Sequence, residues 1–310
     1  MRPALSLLAA FPLLTGSAFG WGCEGHQMIA LIARAHLTPA VSTAVDRLLR
    51  ENPIDPQLSR FCKDRPNDPM ADSATWADDA RTIEKTGDWH FIDIPLAARA
   101  DPANEKDAMQ WCKPEPDGQP GCIVSAIEYE WAILRDKSRP APVRAKALRY
   151  LIHFVGDLAQ PLHASDNHDR GGNCTEIRFF AEPNPQNLHA IWDYKIIARD
   201  LELRKVTQAQ YAKTLDEDFA RSESKIDVLA WTWDSHTLAS TVVYADLKPP
   251  IPISTEGTAD QAGCTAERAA VAALHISIDD EYTGHALPVI REQLAKAGYR
   301  LAALLNQTLQ

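Results

Sequence analysis

Past its first residues the chain has no apolar stretch long enough to span a bilayer, which argues against an integral membrane protein. No two of its six cysteines form a CxxC pair, so a zinc site built from cysteine is disfavoured. Internal repeats and low-complexity linkers are absent as well, leaving one continuous chain near the upper size for a single core. Strand signals are scarce, the best being TEIRFF at Thr175–Phe180. Positive charge is in deficit: 32 Lys and Arg face 42 Asp and Glu, a formal charge of -10. That sign is wrong for a typical duplex-binding protein. Bound divalent cations would supply positive charge locally where an acidic chain needs it.

What is present begins with a leader. MRPALSLLAAFPLLTGSAFG has a basic start at Arg2, a short apolar run from Ala4 to Leu14, and small residues at Ala18 and Gly20. This reads as a secretory signal peptide, residues 1–20, cut between Gly20 and Trp21, and it predicts a secreted or periplasmic protein. Residues 21–310 then form one domain, and the loss of Arg2 takes its charge from -10 to -11. Cys23, Cys62, Cys112, Cys122, Cys174 and Cys264 all remain, and an even count in an exported chain favours three disulfides. Spacing alone suggests one pair, Cys112 with Cys122, flanking the turn-rich KPEPDGQPG.

Apolar residues recur at three and four in Gln27–His36, Ala40–Leu49, Ile123–Leu134, Val143–Leu158, Gln208–Phe219, Ile226–Val243 and Ala266–Leu305. This is the helical period, and it predicts an all-α, mostly helical domain. A break is expected in the last segment near Gly284. Pro39, Pro142 and Pro288 are placed to open or interrupt helices, and Pro161 to end the run containing His153. The Pro-rich stretches Asn52–Pro69, Lys113–Pro120, Glu182–Pro185 and Lys248–Pro252 read as surface loops.

The chemistry sits where histidine meets aspartate. In LIHFVGDLAQPLH, His153 and Asp157 are four apart and share a helix face, and His163 follows just past Pro161. NLHAIWD repeats the spacing with His189 and Asp193. Either pair alone is more often an ion pair or a satisfied core contact than a metal site. Together they form a set of imidazole and carboxylate ligands that suits zinc. Upstream, WHFIDIP adds His90 and Asp93, and ATWADDAR adds Asp78 and Arg81, charged groups in apolar settings that call for partners. After leader removal the chain begins WGCEGH, with a free α-amine five residues before His26. Such an amine titrates near neutrality and is readily deprotonated by a metal.

The blocks WGCEGH, TWADDAR, WHFIDIP, HFVGDLAQPLH, NLHAIWD and ALPVIREQLAKAGYRLAALLN follow one another over nearly the whole mature chain. In that order they resemble the zinc-dependent single-strand-specific nucleases, the S-one/P-one type, a family related to zinc phospholipase C. The resemblance implies a mostly helical domain with a trinuclear zinc cluster at the bottom of a cleft, stapled by disulfides. It implies one Zn2+ on Asp78, His90, His153 and Asp157, and a second on the Trp21 amine and carbonyl, His26 and the shared Asp157. A third would take His163, His189 and Asp193. Asp93 and Arg81 become candidate catalytic residues and Phe91 a candidate base-stacking residue. His36, His168, His236, His275 and His285 are left as ordinary packing or surface residues.

The function so implied is a secreted endonuclease that hydrolyses single-stranded DNA and RNA to 5′-phosphorylated products, with 3′-mononucleotides as further substrates. It would act as a monomer with no stable protein partner. Two alternatives compete: a zinc phospholipase C, and a non-catalytic zinc-binding secreted protein. The compact WGCEGH and the Asp at position 193 speak against the first. Asp93 and Arg81 beside the ligand positions speak against the second.

Overall fold

Helix period and helix capping together set the architecture. The computed structural model describes residues 21–58, 62, 66–100, 105–113, 118–219, 225–255 and 258–310; the expected leader lies outside the described residues. Helices α1 (Cys23–Ala35) and α2 (Pro39–Glu51) realise the first two periodic stretches. Thr38 caps α2 by accepting from the Val41 amide, with Pro39 at the position where a missing N–H costs nothing. Two short helices follow, α3 (Pro69–Asp72) and α4 (Trp76–Glu84). Then come α5 (Ile123–Arg135) and the central α6 (Ala141–Ala159).

From Leu148 to Ala159 every residue of α6 is buried, the pattern of a helix enclosed on all sides. It packs on α5, and with α1 it packs on the C-terminal helix α12 (Asp280–Thr308), described below. Each large apolar side chain so buried contributes about 1.5–3 kcal/mol. Pro161 ends the run as expected: α6 stops at Ala159, and Pro161–His163 form a 3-10 turn.

The expected strand appears as β1 (Glu176–Phe179), at the centre of a small sheet. It pairs antiparallel with β2 (Gln186–Asn187) and parallel with β3 (Ser277–Ile278). Short α7 (Leu188–Ala190) runs through a π-helical turn, Ile191–Lys195, into α8 (Ile196–Arg204). Helices α9 (Gln208–Asp218) and α10 (Val228–Leu238) follow, the latter ending in a second π turn, Ala239–Val243.

The C-terminal stretch departs from expectation. It divides into α11 (Gln261–Leu274) and α12, but at residues 275–279, not near Gly284. His275 takes a left-handed conformation, β3 intervenes, and Asp279 caps α12 through the Glu281 and Tyr282 amides. Gly284 and Pro288 both fall inside α12. Proline at 288 cannot bond the Gly284 carbonyl, but both residues are exposed, where losing that bond costs least, and the helix continues.

All six cysteines are paired: Cys23–Cys62, Cys112–Cys122 and Cys174–Cys264. The middle pair is the one the spacing predicts. Among the described residues no helix is long and apolar enough to cross a membrane.

Candidate metal centre

The spacing on α6 places His153 Nε2 3.0 Å from Asp157 Oδ2, one turn on. The other ring nitrogen, Nδ1, donates to the carbonyl of Ala74 at 2.7 Å, which fixes the tautomer because a carbonyl only accepts. Asp157 gathers two more rings. His90 Nδ1 stands 3.0 Å from Oδ2, and His26 Nε2, from α1, 3.2 Å from Oδ1. The His26 and His153 rings stack at 4.0 Å. Gly156 makes that approach possible: a Cβ there would meet His26 Nδ1 at 2.9 Å. Asp78, at the start of α4, completes the group with Oδ1 3.7 Å from His153 Nε2 and 3.8 Å from His90 Nδ1.

A neighbouring group forms where α6 turns over. His163 and His189 bring their Nε2 atoms within 3.0 Å, and His189 Nε2 lies 3.3 Å from Asp193 Oδ2. Each ring is again held from behind by a backbone carbonyl. His163 Nδ1 donates to His90 at 2.6 Å and His189 Nδ1 to Gly171 at 2.5 Å. Gly171 has φ +60°, and a Cβ there would stand 2.7 Å from the Leu162 carbonyl, so the loop needs glycine. Three sets of facing atoms, His26/Asp78/His153, His90/His153/Asp157 and His163/His189/Asp193, each close to within 4.8 Å, and all are buried.

These contacts leave part of the first group unsatisfied. Both oxygens of Asp78, Oδ1 of Asp157, both nitrogens of His26 and Nε2 of His90 are buried without a hydrogen bond. Burial, and then the neighbouring His153, pushes His26 down to about 4. Burial also lowers His90. For His153, burial acts in the same direction, but Asp157 and Asp78 outweigh it and lift the ring to about 9. Burial would raise Asp157, yet His153 and His163 hold it well below the usual carboxylate range. Asp193 goes the other way, raised well above that range by burial. Buried carboxylate oxygens without donors, beside the His26 and His90 rings that burial keeps neutral, are what divalent cations satisfy, and the three groups could hold metal ions.

The N-terminal segment reaches both groups. Trp21 is fully buried, the Gly22 amide donates to the Asp193 carbonyl at 2.9 Å, and the Gly22 carbonyl accepts from the His26 amide at 3.1 Å. Arg81, one turn after Asp78, is 3.9 Å from its Oδ1. Asp93 lies on an extended segment beside the His163 turn, where the Ile92 amide donates to the His163 carbonyl at 2.8 Å. Its Oδ2 accepts from Thr258 Oγ1 at 2.6 Å. Burial and then Asp166 push the Asp93 carboxyl up to about 7, with Asp88 adding to the effect and Thr258 and Arg170 opposing it. Phe91 is extended and partly exposed, its carbonyl accepting from the Ile123 amide at 3.0 Å.

Four further residues support the site. Ala74 and Gly171 hold rings through their carbonyls, Gln160 hydrogen-bonds Asp193, and Thr258 hydrogen-bonds Asp93. Gln160 stands inside the DLAQPLH block, while Thr258 comes from a distant loop with no local signal. Among the other histidines, His236 is buried and bonded to Ser165, Ala164 and Ala98, and His36 pairs with Asp216 at 2.5 Å. His285 is exposed beside Asp246.

Residues 21–310 match the family described as S1/P1 Nuclease. Nuclease S1 of Aspergillus oryzae is 29% identical over 319 residues, covering 99% of this chain and 98% of that protein. Endonuclease 2 of Arabidopsis thaliana is 29% identical over 295 residues, 93% of this chain and 90% of its own length. Nuclease P1 of Penicillium citrinum is 27% identical over 297 residues, 93% and 97% respectively. With a match running from the buried Trp21 to the last residue, through every His and Asp of the three groups, this chain belongs to the S1/P1 nuclease family.

Proposed function

We propose that this nuclease is a zinc-dependent endonuclease that hydrolyses phosphodiester bonds of single-stranded DNA and RNA to 5′-phosphorylated products, and that it also accepts 3′-mononucleotides. The observation that carries the reading is the set of three buried His/Asp groups, in which Asp78, His26, Oδ1 of Asp157 and Nε2 of His90 offer buried atoms without a hydrogen bond. Asp78, His90, His153 and Asp157 would hold one ion, and the Trp21 amine and carbonyl with His26 and Asp157 a second. His163, His189 and Asp193 would hold the third. Zinc bound there supplies Lewis acidity, which neutralises phosphate charge and makes water a stronger acid.

The chain's own residues do the rest. Asp93, its proton affinity raised into the neutral range, accepts the proton of the attacking water. Arg81, held beside Asp78, presents its guanidinium to the non-bridging phosphate oxygens and steadies charge that builds toward the departing 3′-oxygen. Phe91, partly exposed next to His90, offers a face on which an unstacked base rests. A phosphate reaches buried ligands only when its base can swing out of a stack, which favours single strands.

Three disulfides suit an oxidising compartment, in keeping with export to the periplasm or beyond. The test is hydrolysis by the mature, zinc-loaded protein of single-stranded DNA, RNA, duplex DNA, 3′-AMP and phosphatidylcholine, with end-group analysis of the products. Cleavage of single strands well ahead of duplex, leaving 5′-phosphates, is expected. Lipid cleavage without nucleic-acid cleavage overturns the reading.

A further inference from the structure

Gln160 is fully buried at the junction of the two metal-ligand groups, and each of its polar groups is engaged. Its amide donates to the Asp157 carbonyl at 2.9 Å and its carbonyl accepts from the His163 amide at 3.0 Å. In the side chain, Oε1 accepts from the Leu162 amide at 2.6 Å, and Nε2 donates to Asp193 Oδ1 at 2.6 Å. The orientation of the side-chain amide is not free. A backbone N–H can only donate, so the oxygen faces Leu162 and the nitrogen must face Asp193.

That bond has a geometric consequence. Gln160 holds Oδ1 of Asp193, which lies 4.0 Å from His163 Nε2, and so turns Oδ2 to His189 Nε2 at 3.3 Å. Asp193 sits on the π turn Ile191–Lys195, apart from α6, with its carbonyl accepting from the Gly22 amide at 2.9 Å. Gln160 spans that gap, joining the end of the helix that carries Asp157 to the carboxylate of the other group.

We propose that Gln160 is a positioning residue that aims Asp193 at the ion held with His163 and His189, and that fixes this ion's place relative to the Asp157 group. The inference rests on the metal reading given under Proposed function. The role is carried by a single donor, so replacing that donor while keeping the acceptor isolates it.

Gln160→Glu keeps an oxygen for the Leu162 amide and sets a carboxylate against Asp193. Zinc content and stepwise zinc affinity of the folded wild type and variant are measured by elemental analysis and competition with a chelator. The expected result is one equivalent bound about ten- to a hundred-fold more weakly, the effect typical of lost support to a metal ligand, with the other two unchanged. Equal weakening of all three equivalents, or no change in any, overturns the assignment. Should the variant fail to fold, Gln160→Met, close in volume and uncharged, is read in the same way. A wild type that binds no zinc overturns the metal reading itself, while a wild type and variant that bind three equivalents alike overturn only the role of Gln160.

Discussion

The carbonyl of His90 accepts a 2.6 Å hydrogen bond from His163 Nδ1, while the His90 ring stands 3.0 Å from Asp157. One residue therefore serves two groups, with its side chain in one and its backbone in the other. His90→Ala removes the ring but keeps the carbonyl. It is expected to cost one zinc equivalent, to spare the His163/His189/Asp193 equivalent, and to reduce nuclease activity by on the order of a hundred-fold or more. Elemental analysis beside a single-strand cleavage assay reads both.

Gly156→Ala tests the packing of α1 on α6. The added methyl would meet His26 Nδ1 at 2.9 Å and Cε1 at 3.1 Å, so the ring must shift. Overpacking of this kind costs about 1–3 kcal/mol, and denaturant unfolding should show it. Weaker zinc binding should accompany it, because His26 faces Asp157 from that side. Unchanged stability and unchanged zinc affinity would refute the steric account.

Asp93 predicts two opposite pH effects. As the acceptor of a proton it works only when ionised, so kcat/KM should fall as pH drops through about 7. Asp93→Asn should abolish that limb and lower the plateau by roughly 10²–10⁴-fold. For stability the sign reverses. The folded chain holds the Asp93 proton up to about 7, whereas the unfolded chain releases it near 4. Stability thus declines as pH rises across that window. Above pH 7 Asp93→Asn should be the more stable protein, by ~1–2 kcal/mol after allowance for partial exposure, with the advantage gone near pH 4. Melting temperatures at the two ends check this.

The Cys174–Cys264 bond ties α11 to the turn between the Gly171 loop and β1, and an Arg268–Glu176 pair at 3.4 Å lies alongside. The bond closes a sequence separation of 90 residues. Replacing both cysteines with serine should cost about 2–4 kcal/mol. Limited proteolysis should then cut first within residues 258–274.

An extra residue before Trp21 tests the terminus. If the free amine is a ligand, the extended protein should lose one zinc equivalent and most of its activity, while far-ultraviolet circular dichroism stays the same. Full zinc content in the extended protein would remove the amine from the site.

Much of this was readable where the physics is local. His153 and Asp157 meet because four residues make one helical turn, and Cys112 pairs with Cys122 across a turn-rich stretch. His189 and Asp193 meet at the same spacing, although Asp193 sits on a π turn that no periodicity announces. The contact of Thr258 with Asp93 joins residues far apart in sequence, and nothing near either one signals it. Pro288 misleads for a different reason. Its cost depends on whether the Gly284 carbonyl sees water, which only the packed structure decides.

The hydrogen bond between the Gly22 amide and the Asp193 carbonyl bears on the order of events as the chain is made. Synthesis runs from the N-terminus, so the segment carrying Trp21 and His26 emerges early and its anchor on the π turn much later. Asp157 is made before then, but no turn yet holds the start of the His26 helix. The segment that carries Trp21 and His26 is thus anchored only by a turn made long after it.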